Sequence, residues 1–163
     1  MAHEAPLSAT GAVDVVHGAH PLTPLIVRAM KLPAVGPQPV LLQVALASAA
    51  PAAIAATAAT MTWTRRIGVT SLATRQYARQ GRLVERSGPG TVEFVLSVEN
   101  GSLLYQQSGC RFLQVPLPGH PAPHVRAWVA PAAVGWRVEV VVEWRGHLIC
   151  RYGGAMRPVV STS

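Results

Sequence analysis

Charge is scarce in this chain. Only 13% of its 163 residues are charged, and half are hydrophobic, which is too apolar a balance for a disordered segment. Lysine is nearly absent: a single lysine accompanies thirteen arginines, against seven Asp and Glu, for a net charge of +7. An arginine bias of this kind fits a GC-rich coding sequence, as do the abundant Ala and Pro. The arginines are scattered, with one local cluster from Arg75 to Arg86, and no zinc-finger, helix-turn-helix or RNA-binding signature accompanies them. No nucleic-acid partner is therefore expected. Cysteine is limited to Cys110 and Cys150, too few for a disulfide framework. The N-terminus Met-Ala-His-Glu-Ala-Pro has no charged region followed by an apolar core, so no signal peptide is expected and a reducing cytoplasm is the expected compartment.

The known routes to chemistry are also missing. There is no Gly-x-Ser-x-Gly elbow, no papain-like cysteine context, no glycine-rich phosphate loop and no dinucleotide fingerprint. His17 with His20, and His120 with His124, have ligand-like spacing, but neither pair has a clear third ligand, so no metal and no cofactor are expected. One run, Lys31 to Arg65, has no charged residue between its ends. A membrane helix needs about twenty strongly apolar residues. Here Ala dominates and Gln43 and Pro51 interrupt, so the run reads as strand 39–48, an Ala/Pro turn, and strand 57–67, with no membrane span.

What the chain does have is β-alternation. Residues 91–98 and 136–144 alternate at the two-residue period of a pleated strand. Residues 1–10 read as a flexible tail and 11–159 as a single domain. Residues 11–17 form a short β-branched strand and 21–31 a helix, with Leu22, Leu25, Ile26, Ala29 and Met30 on one face. Further strands follow at 70–78, 82–86, 91–98, 102–107, 124–130, 135–144 and 147–153, and 108–123 reads as a proline-spaced loop. Asn100-Gly101 is the strongest hairpin signal, because both residues tolerate positive φ. The expected fold is mainly β: an antiparallel barrel or cup of about eight strands with one short N-terminal helix, able to enclose one small ligand.

Within such a barrel Glu93, Glu99, Glu139 and Glu143 alternate with apolar residues and are expected to face water. Glu85 is ambiguous, since Leu83 shares its strand face while Val84 and Arg86 share the other. Pointing inward it needs a partner, and Arg65 and Gln76 are the candidates. Two readings stand: a polar anchor or general acid/base in an apolar cup, or an ion pair that fixes strand register. The aromatics Trp63, Tyr105, Trp128 and Tyr152 serve either as core or as walls that grip a greasy ligand.

The order Trp63, Arg65, Ile67-Gly68, Gln76, Gly81, Leu83, Glu85, Gly88-Pro89, Phe94, Asn100-Gly101, Leu104-Tyr105, Gly109, Val115-Pro-Leu-Pro118 and Tyr152 resembles the bacterial domain-of-unknown-function 4166 family over about residues 11–158. The chain departs from that pattern at Ile67, where an aromatic is favoured, and in the alanine-rich stretch before Trp63. Members of that family stand alone or are fused to dehydrogenase-like domains, which implies small-molecule metabolism.

The expected function is binding of a lipophilic small molecule. The concrete version is a cofactor-independent cyclase or isomerase of specialised metabolism, closing a polyketide-type ring. Arg65, Glu85 and Tyr105 are its candidate catalytic residues and Trp63, Gln76, Trp128 and Tyr152 its candidate substrate contacts. A non-catalytic carrier, or an interaction module partnering a dehydrogenase, is the alternative, and a homodimer is compatible with either.

Overall fold

The computed structural model describes residues 7–46, 60–119 and 121–159. Among them run β1 (Leu7–His17), α1 (Thr23–Ala29), β2 (Gly36–Leu46), β3 (Met61–Ile67), β4 (Thr70–Arg79), β5 (Arg82–Ser87), β6 (Gly90–Glu99), β7 (Ser102–Phe112), β8 (Val115–Pro116), β9 (His124–Pro131), β10 (Trp136–Trp144) and β11 (His147–Pro158). The sheet order is β6-β5-β4-β3-β2-β1-β11-β10-β9-β7, and pairing of β6 with β7 closes it into an antiparallel barrel. The barrel has ten strands rather than about eight, with β8 hydrogen-bonded to the end of β7.

Tight turns set the meander. Asn100-Gly101, Gln80-Gly81 and Arg145-Gly146 each place two successive residues at positive φ, 49° and 76° in the first case. That pattern matches the right-handed twist of the flanking strands. The register then fixes which side chains look inward, because cross-strand partners share a face and successive residues along a strand do not. Ala9, Val13, Val15, Val40, Ile67, Val142, Cys150 and Met156 all fall on one face and form the buried cluster, together with Ile149. That face is the interior. The dry core therefore lies along β1, β2, β10 and β11.

Helix α1 is shorter than the 21–31 expected. Lys31 adopts a left-handed φ of 52°, which ends the helical turn. Ile26, Val27, Met30 and Leu32 pack against the core cluster. The helix thus covers the barrel end where β1 stops and β2 starts.

Glu93, Glu139 and Glu143 do face outward, where they pair with Arg82 and Arg111, Arg151, and Arg126 respectively. The Arg75–Arg86 cluster is a solvated outer face, with Arg75 opposite Arg86 and Arg79 opposite Arg82. Strand β1 starts at Leu7, β7 runs on to Phe112 and β11 to Pro158. Residues 108–112, read above as loop, are therefore strand, accommodated by a bulge against Glu93/Phe94. The expected Ala/Pro turn between strands 39–48 and 57–67, the adjoining ends of those strands at 47–48 and 57–59, and His120 lie outside the described residues. No helix among the described residues is long and apolar enough to cross a membrane.

Candidate functional site

One side of the inner wall is polar. Gln76 on β4 lies directly opposite Glu85 on β5, so the two share a face, and the buried Gln76 amide donates to Glu85 Oε2 at 3.1 Å. Glu85 Oε1 takes the Arg65 guanidinium at 2.8 Å. Arg65 reaches across from β3, with Cζ 5.6 Å from the Trp63 ring centroid, a cation–π distance. Both carboxylate oxygens are thereby engaged, which resolves the ambiguity of Glu85: it points inward and is paired. The Arg65 and Glu85 side chains nevertheless keep 27% and 16% of their exposure, so solvent reaches this part of the inner wall.

Two aromatic hydroxyls look onto the same region. Tyr105 on β7 packs edge-on against Phe94, centroids 6.1 Å apart. Its phenol is pushed up chiefly by burial; Arg65 pulls it down and Glu85 pushes it up. Tyr152 on β11 is pushed up to about 12, again by burial first, with Arg65 opposing and Cys150 and Glu85 adding. Both phenols therefore stay protonated donors at neutral pH and sense the Arg65–Glu85 charges.

Next to this pair are two polar atoms that have no partner. Trp63 and Thr74 face each other across β3 and β4. The Trp63 Nε1 and Thr74 Oγ1 atoms are buried with no hydrogen-bond partner among the described residues. Leaving a buried donor unsatisfied costs about 1–3 kcal/mol. Thr74, itself 2% exposed, was not singled out from the sequence. The available signal was parity: it lies two residues before Gln76 and so shares its face.

Six of the seven candidate residues thus share the interior face: Trp63, Arg65, Gln76, Glu85, Tyr105 and Tyr152. Trp128 does not. It pairs with Leu104 and Glu139, on the outward parity, while its neighbours Ala127 and Val129 face in. Cys110 and Cys150 are both free. No cluster of three or more His, Cys, Asp or Glu side chains suited to a metal occurs among the described residues.

Burial also pushes the Cys150 thiol up to about 11. Cys150 and Tyr152 both hold their protons more tightly folded than unfolded, where 9.0 and 10.0 apply. Their contribution is therefore complete below about pH 9 and falls as pH rises through about 11 for Cys150 and about 12 for Tyr152. Urea midpoints are expected to decline across that window. Tyr152→Phe should flatten the upper part of the decline, and an unchanged slope would remove Tyr152 from this account.

These features define a closed antiparallel barrel with a paired, partly hydrated polar cluster on one interior wall. The family described as Domain of unknown function (DUF4166) matches residues 1–156, and the chain belongs to it. No curated protein and no solved structure matches the chain.

Proposed function

We propose that the barrel interior binds a lipophilic small molecule that carries a hydrogen-bond acceptor such as a carbonyl. The observation that supports this reading is the adjacency of Arg65, Trp63 and Thr74 on the inner wall. A carbonyl oxygen placed there would satisfy the Trp63 N–H and the Thr74 hydroxyl while sharing the Arg65 guanidinium with Glu85. The hydrocarbon remainder would lie against Leu42, Leu72, Phe94, Val138 and Val140, which share the inward parity.

The finer reading is a cofactor-independent cyclase. In an intramolecular cycloaddition two π bonds become two σ bonds and nothing leaves, so the protein need only hold one folded conformer. Hydrogen bonds to a conjugated carbonyl from Arg65, with Tyr105 as a second neutral donor, would draw electron density from the reacting alkene. Incubating the protein with linear polyene ketones tests this step. Ring closure no faster than in buffer removes the enzyme reading, and tight binding without turnover replaces it with a carrier.

Binding itself is tested with Trp63→Phe, which keeps an aromatic side chain but removes the N–H and part of the indole. The free protein should still fold, with its urea midpoint lowered modestly, since the packing lost with the indole outweighs the removal of one unsatisfied donor. Affinity for prodan, a neutral naphthalene ketone with environment-sensitive fluorescence, should fall about fivefold to tenfold. Equal affinities would dismiss Trp63 as a ligand donor.

A further inference from the structure

A second recess lies at the covered end of the barrel, away from the inner wall just described. It is an open cleft of about 840 Å³ between the segment carrying α1 and the start of β4. That volume falls within the range of about 300–1,000 Å³ typical of small-molecule sites.

Its chemistry differs from that of the interior. Arg28 and Lys31 stand on its edge, both exposed and neither in an ion pair with the described residues, and no Asp or Glu lines it. Thr70 and Ser71 bring hydroxyls from the β4 side, and Val27, Leu32 and Pro24 give an apolar floor. Thr23 supplies an independent sign of an absent partner: it lines the cleft and is only 4% exposed, yet its Oγ1 has no hydrogen-bond partner among the described residues.

The walls are held in place by histidines. His17 Nε2 donates to the Pro33 carbonyl at 2.8 Å, which ties the end of the α1 segment to β1. His20 Nδ1 accepts the Leu22 N–H at 3.2 Å. In the neutral His20 ring the proton therefore sits on Nε2, which remains a donor. His20 also meets Trp144 edge-on and His147 at a tilt, with centroids 5.3 and 4.8 Å away.

We infer that this cleft is a binding site for an amphiphilic organic anion: an apolar body seated on Val27, Leu32 and Pro24, with one carboxylate, sulfonate or phosphate group held by Arg28 and Lys31. Two unpaired cations, a set of hydroxyl donors and the lack of acidic side chains select charge, and the floor selects an apolar frame. Charge-assisted hydrogen bonds are the strong ones in such a site.

Anilinonaphthalene sulfonate is the direct probe, since it joins an apolar frame to one anion and fluoresces when bound. Arg28→Ala/Lys31→Ala should keep the wild-type melting temperature, because both side chains are exposed, and should weaken the probe at least about tenfold. Thr23→Val, nearly isosteric, should weaken it about threefold or more. Trp63→Phe, in the barrel interior, should leave it unchanged, which separates this site from the proposed carbonyl site. Wild-type affinity should also fall with added salt. Unchanged affinity in Arg28→Ala/Lys31→Ala would overturn the inference, and so would a loss confined to Trp63→Phe.

Discussion

Gly154→Val is expected to prevent the barrel from closing. Gly154 lies in the middle of β11, opposite Val13 on β1. A Cβ there would stand 1.9 Å from the Ala12 carbonyl oxygen and 2.9 Å from Val13 Cα. Gly11 faces the same limit from the other strand, with a Cβ 2.1 Å from the Ala155 oxygen. The two strands therefore cross more closely than side chains permit, and the obstacle is backbone, which cannot rotate away as a side-chain tip can. Overpacking commonly costs about 1–3 kcal/mol, and a clash this short against a main-chain oxygen belongs at or above the upper end. Against a total stability of about 5–15 kcal/mol, valine should leave little folded protein, and Gly154→Ala should already lower the urea midpoint sharply. Gly81→Ala is the control. Its φ of 73° is left-handed, but nothing lies within 4 Å, so only the conformational cost of about 1–2 kcal/mol applies. If Gly154→Ala proves as stable as the wild type, the close crossing of β1 and β11 is not what shapes the barrel.

Those same glycines show where the fold could and could not be read from residue order. The alternation in β6 and β10 and the Asn100-Gly101 turn are local signals, and each led to the right element. The end of β11 was not legible, because Gly153-Gly154 reads as a break when only local propensity is considered. Its actual use is long-range: it lets β1 approach. Likewise the β7–β8 hairpin turns through Leu113 and Gln114, at φ of 49° and 66°, residues that carry no turn signature. The site was more legible than the boundaries. Once strands 57–67, 70–78 and 82–86 are in register, Arg65, Gln76 and Glu85 can meet only on one face. The outward place of Trp128 was available from parity, since Val125, Ala127 and Val129 alternate with Arg126 and Trp128. Thr74 carried no chemistry of its own to draw attention. Its interest lies in the buried, unpartnered hydroxyl that the packed structure displays.

Whether Arg65 and Glu85 fix the register or hold a ligand is decided by removing them singly and together. Arg65→Met leaves a carboxylate facing inward with only the Gln76 amide, and Glu85→Leu leaves a guanidinium with only the Trp63 ring. Breaking one half of a fully buried pair costs about 3–5 kcal/mol. This pair retains some solvent, so about 2 kcal/mol for each single replacement is expected. The double replacement removes both charges and substitutes apolar side chains of similar size, which is often neutral or stabilising. Its stability should therefore return close to the wild type, so that the coupling energy across the cycle approaches the sum of the two single losses, about 4 kcal/mol, measured by urea denaturation. That recovery makes the functional comparison clean, because the double variant is folded and both charges are gone from its inner wall, with Gln76 and Thr74 left in place. If the cluster orients a ligand carbonyl, the double variant should bind prodan about tenfold more weakly than the wild type despite its greasier interior. If it serves only to align β3 with β5, the added hydrocarbon should hold prodan at least as well. An apolar pair that restores stability and also keeps full affinity would assign Arg65 and Glu85 to architecture and leave the neutral groups of the inner wall, Trp63 and Thr74 first among them, as the polar contacts for a ligand.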